Sequence, residues 1–193
     1  GQQLAYVWVG GAPLDDELMF RAANSISAGQ WLGSYDYLTL SKAMFFPVWL
    51  ALLHALHLPY LVGGAALWCA ASLLAAFALR PLWAGKSAPS AARRTAAVYA
   101  ALAFLPSSWA AYTLRVYRDN IFPALCMVFF AGWAGAALHA VLDDTAKLLP
   151  WLAAAGAGLA CAYVTREDAG MFLLPFAAVA TLILLVTFWV QKK

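Results

Sequence analysis

Residues 43–79 read AMFFPVWLALLHALHLPYLVGGAALWCAASLLAAFAL, an unbroken stretch without Asp, Glu, Lys or Arg. A helix that crosses a bilayer needs about 20 mostly apolar residues to span a hydrocarbon core roughly 30 Å thick. The stretch is too long for one crossing, and His57-Leu58-Pro59 divides it. Pro59 lacks a donor and disfavours helical geometry at Leu58. Ala43 to Leu58 would rise about 24 Å as a helix, short of a comfortable crossing. Pro59 to Leu79 is long enough. The first piece is therefore expected to lie at the interface or re-enter; a tight hairpin of two crossings is the alternative.

Other charge-free runs flank this one: Thr95 to Leu114, Asn120 to Leu142, Leu148 to Thr165 and Ala169 to Gln191, with a shorter apolar run, Gly1 to Leu14, at the start. Of the 193 residues, 65% are hydrophobic and 11% charged. A soluble domain carries about 25% charged residues, so the composition excludes one, along with a disordered segment. A net charge of +3, dispersed along the chain, excludes a nucleic-acid partner. Cys69, Cys126 and Cys161 lack metal-like spacing and read as small core residues. The expectation is an all-α integral membrane protein, one module over 1–193. Residues 1–14 would end a truncated first span, 15–58 form an outer loop with juxtamembrane helices, and 59–191 make five spans, about six in all. With no initiating Met, the module reads as part of a longer enzyme.

Loop charge orients the spans. With Ala43–Leu58 not crossing, one side holds Arg80, Lys86, Arg93, Arg94, Lys147, Lys192 and Lys193 with Asp143 and Asp144. The other holds Arg21, Lys42, Arg115, Arg118 and Arg166 with seven acids. Lys and Arg favour the cytoplasmic side, so the first set is assigned inside.

Three charged clusters then fall on the outer side: Asp15-Asp16-Glu17, Arg115-Val116-Tyr117-Arg118-Asp119, and Thr165-Arg166-Glu167-Asp168. A charge at mid-membrane costs on the order of 2.5–3.5 kcal/mol, so such residues persist at ends, in pairs or facing water. The clusters are either ordinary polar turns or one composite polar site. Leu18, Met19, Ala22 and Ile26 recur at helical spacing after the first cluster, which predicts an amphipathic helix on the membrane with carboxylates over its positive end. Adjacent carboxylates there can accept a proton or hold a divalent cation, which would fall to Asp15 and Asp16. Lys42 opens the next short helix, where an ammonium opposes the dipole and an anionic partner such as phosphate would relieve it.

Asp15-Asp16, Gly29-Gln30-Trp31, Lys42 through Pro47, Arg118-Asp119 and Arg166-Glu167-Asp168 stand in an order that resembles the GT-C-fold membrane glycosyltransferases, such as the protein O-mannosyltransferases and the lipid A aminoarabinose transferases. The chain departs from them in having Lys42-Ala43-Met44 for the usual Lys-Pro-Pro or Lys-Gly-Pro, and Asp-Asp where many members have Asp-Glu. The resemblance implies an inverting transfer of sugar from a polyprenyl-phosphate donor to an acceptor at the outer face. It implies Asp15 as general base, with Asp16 or Glu17 tuning it or holding a metal ion. Lys42, Arg115, Arg118 and Arg166 would stabilise the phosphate leaving group, with Asp119, Glu167 and Asp168 as supporting acids. Alanine-rich spans with short loops point to a bacterial inner membrane, the site facing the periplasm. The rival functions are a lipid or anion transporter and a non-catalytic assembly subunit. His54 and His57 are expected on one helical face, and Gly156, Gly158 and Ala160 at a close helix contact.

Overall fold

Pro59 sets the first boundary. It takes φ −58° and ψ 141°, an extended cap from which a helix runs over Tyr60–Ala78. The preceding helix, Phe45–Ala55, ends when His57 enters the left-handed region at φ 55°. The Leu58 N–H then reaches back to the Leu53 carbonyl at 2.9 Å, a closure that satisfies a terminal carbonyl. His57 thus lies beyond the helix, its Nδ1 2.9 Å from the His54 carbonyl oxygen. The expected shared face of His54 and His57 does not form, because the chain turns first.

The computed structural model describes residues 15–31, 33, 42–105, 116–142 and 145–191. Among these the regular structure is entirely helical: α1 Asp15–Ser27, α2 Phe45–Ala55, α3 Tyr60–Ala78, α4 Ala88–Ala103, α5 Phe122–Val141, α6 Leu148–Tyr163 and α7 Ala169–Gln191, with single-turn 3-10 pieces at Arg80–Trp83, Arg118–Asn120 and Thr145–Lys147. Among the described residues three stretches are long and apolar enough to cross a membrane: Tyr60–Ala78, Arg118–Val141 and Ala169–Val190. Leu148–Tyr163 is apolar but shorter.

Helix α4 begins at Ala88, seven residues before the expected Thr95, with Pro89 in its first turn. A charge-free run marks where hydrocarbon can begin, whereas Ser87-Ala88-Pro89 marks where helical geometry begins. Arg93 and Arg94 therefore ride on the helix, both exposed. The described helix stops at Ala103, and Trp68 of α3 caps its end by donating to the Leu102 carbonyl at 3.2 Å. The remainder of the expected span, 106–114, lies outside the described residues, as does the first apolar run, 1–14.

Helices α5 and α6 pack antiparallel through small residues. A Cβ on Gly132 would meet the Ala155 backbone, one on Gly135 the Trp151 ring, and one on Gly158 the backbone nitrogen of Phe129. Backbones approach this closely only where side chains are absent, which in lipid replaces hydrophobic drive with dispersion contact. Of the three expected small contacts, Gly158 is in the seam. Gly156 has open space around it and Ala160 is exposed, so both face outward. Helix α7 docks through Phe176, whose ring sits edge-on to Phe129 and Phe130 at 5.6 and 5.0 Å. Most of its remaining surface is exposed and apolar.

Both ends of α2 are tied to the same end of this bundle. Phe45 N–H donates to the Val164 carbonyl at 2.9 Å, where α6 turns into α7. Beyond its C-terminus, the Tyr60 hydroxyl bonds the backbone oxygen and nitrogen of Tyr117, each at 3.2 Å, just before α5. Phe46 also packs edge-on to Tyr60 at 6.5 Å. An 11-residue helix anchored this way lies across the end of the bundle instead of running down it. Phe45–Ala55 is apolar but shorter than the candidate spans.

Candidate functional site

The charged turns occupy that same end. Arg118 sits in the 3-10 turn that leads into α5, its side chain 11% exposed. Its Nη1 donates to Glu167 Oε2 at 2.7 Å. Arg166, in the α6–α7 turn, crosses the other way: Nη1 donates to Asp119 Oδ1 at 3.0 Å. Its Nε and Nη2 grip Asp168 Oδ1 and Oδ2 at 3.0 and 2.8 Å, a bidentate fork. The Arg166 guanidinium also lies 5.0 Å from the centre of the Phe122 ring, and Arg118 5.3 Å from that of Tyr117. Five charges from two turns thus form one network, which joins the second and third charged clusters but not the first.

Glu167 has a second partner. Its Oε1 accepts the Ala43 N–H at 2.9 Å, beside the Phe45–Val164 backbone bond. The segment carrying Lys42 is therefore fastened to the α6–α7 turn, and Lys42 itself is half-buried. Helix α2 starts at Phe45, so Lys42 precedes it by three residues instead of opening it.

Electrostatics follow from these contacts. Burial pushes the Glu167 carboxyl up, but the Ala43 and its own N–H groups and the Arg118 charge outweigh it and hold it below the usual range. The fork from Arg166 holds Asp168 down, against a smaller effect of burial. Arg166 is raised in return, chiefly by its bond to Asp168. All three stay ionised at neutral pH.

Helix α1 contributes at the same end. Met19, Ala22 and Ala23 are buried, and Met19 joins Phe46, Val116 and Ile121 in one apolar cluster. Asp15 and Asp16 form its first turn, with side chains outside the described ones. Glu17 is exposed and lies 3.6 Å from Arg21, one turn along the same helix. Arg115 falls outside the described residues. Among described residues no group of three His, Cys, Asp or Glu side chains is placed to hold a metal ion.

Sequence reasoning missed Asn120, Tyr60 and Trp49. Asn120 Oδ1, Arg118 Nε and Trp49 Nε1 are buried without a hydrogen-bond partner among the described residues. A Cβ on Gly64 would strike the Asn120 side chain, so this glycine gives the amide its space. The signal was present in Asp119-Asn120, where a polar residue follows an acid at the mouth of a span. Fold and site together define a helical bundle with membrane-spanning potential and an ion-paired polar end. Compared with family models, curated proteins and solved structures, the chain gives no match.

Proposed function

We propose that the chain is the membrane module of an inverting glycosyltransferase that uses a polyprenyl-phosphate sugar, with about six spans and its polar end at the outer face of a bacterial inner membrane. The acceptor hydroxyl attacks the anomeric carbon, the bond from that carbon to the phosphate oxygen breaks, and the electron pair leaves with the phosphate. The acceptor proton passes to a carboxylate of Asp15, with Asp16 or Glu17 tuning it or, with a divalent cation, holding the metal. Lys42, Arg115, Arg118 and Arg166 stabilise the growing charge on the leaving group. What supports the reading is one observation: the turns carrying Arg118 and Arg166 and the segment carrying Lys42 meet at one end, beside a helix that lies across it. Arg118 also keeps Nε outside its internal pair.

The pairing favours a second reading. Each arginine already faces a carboxylate, so the network can serve as a latch in a non-catalytic assembly or transport module. Binding separates the two. The purified protein is titrated with undecaprenyl phosphate and with undecaprenol, and the bound species are counted by native mass spectrometry. The transferase reading expects the phosphate form to bind at least tenfold more tightly, and Lys42→Met to remove most of that preference. Equal retention of the two lipids contradicts it.

A further inference from the structure

The opposite end of the bundle holds a cleft of about 790 Å³ where α3, α4, α5 and α6 converge. That volume lies within the range of small-molecule sites, roughly 300–1,000 Å³. Three cations from two connections line it: Arg80 and Lys86 between α3 and α4, and Lys147 just before α6. No Asp or Glu is among its described lining residues. Its wall is aromatic and apolar, with Phe77 and with Trp151 stacked on the nearly buried His139 at 6.3 Å. The first turns of α4 and α6 open on the cleft, and among the described residues neither has a side-chain cap, so their N–H groups add to the positive potential.

We propose that this cleft binds the phosphate of an anionic phospholipid. The cations and helix ends suit the phosphate, and the apolar wall suits the glycerol and upper acyl carbons attached to it. A free phosphate would leave most of the volume and the aromatic wall unused. The site is independent of the polar end described above, and shares no residue with it.

The test uses the full chain in neutral detergent, titrated with phosphatidylglycerol, with diacylglycerol of the same acyl chains, and with inorganic phosphate, bound species being resolved by native mass spectrometry. Phosphatidylglycerol is expected to bind and diacylglycerol to be lost. Combined Arg80→Gln, Lys86→Gln and Lys147→Gln should weaken binding at least tenfold. Ala88→Trp, which keeps every charge but fills the cleft from an exposed position, should weaken it similarly. Arg93→Gln with Arg94→Gln, basic positions outside the lining, should leave it unchanged. Equal binding of diacylglycerol, retention in both cleft variants, or an equal loss in the Arg93 and Arg94 variant overturns the proposal. So does binding of inorganic phosphate without the lipid.

Discussion

Arg118 and Glu167, 49 positions apart, meet across 2.7 Å, and their neighbours Asp119 and Arg166 repeat the pairing with the signs exchanged at 3.0 Å. Two turns with crossed charges resist sliding past one another, because any shift opposes like with like. This geometry fixes the start of α5 against the turn between α6 and α7, and through Ala43 it fixes α2 as well.

The pair is asymmetric in exposure, with Arg118 at 11% and Glu167 at 40%. Removing a partner from a fully buried pair costs about 3–5 kcal/mol, and from an exposed one about 0.2–1 kcal/mol. Glu167→Gln is therefore expected to cost about 2 kcal/mol, since it strands the more buried member. Arg118→Gln should cost less. Unfolding in detergent of the two single variants and the double variant should give a coupling energy of about 1 kcal/mol or more.

Acid should loosen the same junction. The carboxyls of Glu167 and Asp168 are depressed in the folded chain, so their contribution is complete above the unfolded values, about 4.3 and 3.9. It is lost as pH falls through the lower folded values, because the unfolded state then binds more protons. Melting temperature should drop on acidification from about pH 6 to about pH 3, and drop less in a variant carrying Glu167→Gln and Asp168→Asn. Equal drops would show that these groups do not govern it.

The α5–α6 seam makes a sharp prediction about glycine. Gly158→Ala places a Cβ against the Phe129 backbone and is expected to destabilise by about 1–3 kcal/mol. Gly156→Ala meets nothing and should stabilise by up to about 1 kcal/mol through helix propensity. Thermal unfolding of the two variants checks both signs.

His57 closes α2 in the left-handed region, where a β-branched residue is strained. His57→Val should cost about 1–2 kcal/mol, while His57→Gly stays near neutral, the backbone relief offsetting the lost contact to His54. A metal titration monitored by His54 and His57 resonances should show no joint shift.

Much of this architecture is legible in residue order. Pro59 and the lengths of the charge-free runs locate α2, α3, α5, α6 and α7, because proline geometry and hydropathy act locally. Met19 and Ala22 share the apolar face that their spacing predicts, but that face packs against the protein, Met19 beside Phe46 and Val116, where the sequence laid it on the membrane. The gathering of Arg118 with Glu167 was expected only as one of two alternatives, since pairing across 49 positions depends on tertiary contact. The start of α4 was misjudged because charge, unlike capping, says little about helix ends. Asn120 went unnoticed because its role comes from the space beside Gly64, a residue in another helix.

The most direct test is sidedness. In a chain with Cys69, Cys126 and Cys161 replaced by Ala, single reporters Lys42→Cys, Asp168→Cys and Lys86→Cys are exposed to a membrane-impermeant maleimide in sealed vesicles of known orientation. A common polar end predicts that the first two react from the same side and Lys86→Cys only from the other. Labelling of Lys42→Cys and Asp168→Cys from opposite sides would contradict it.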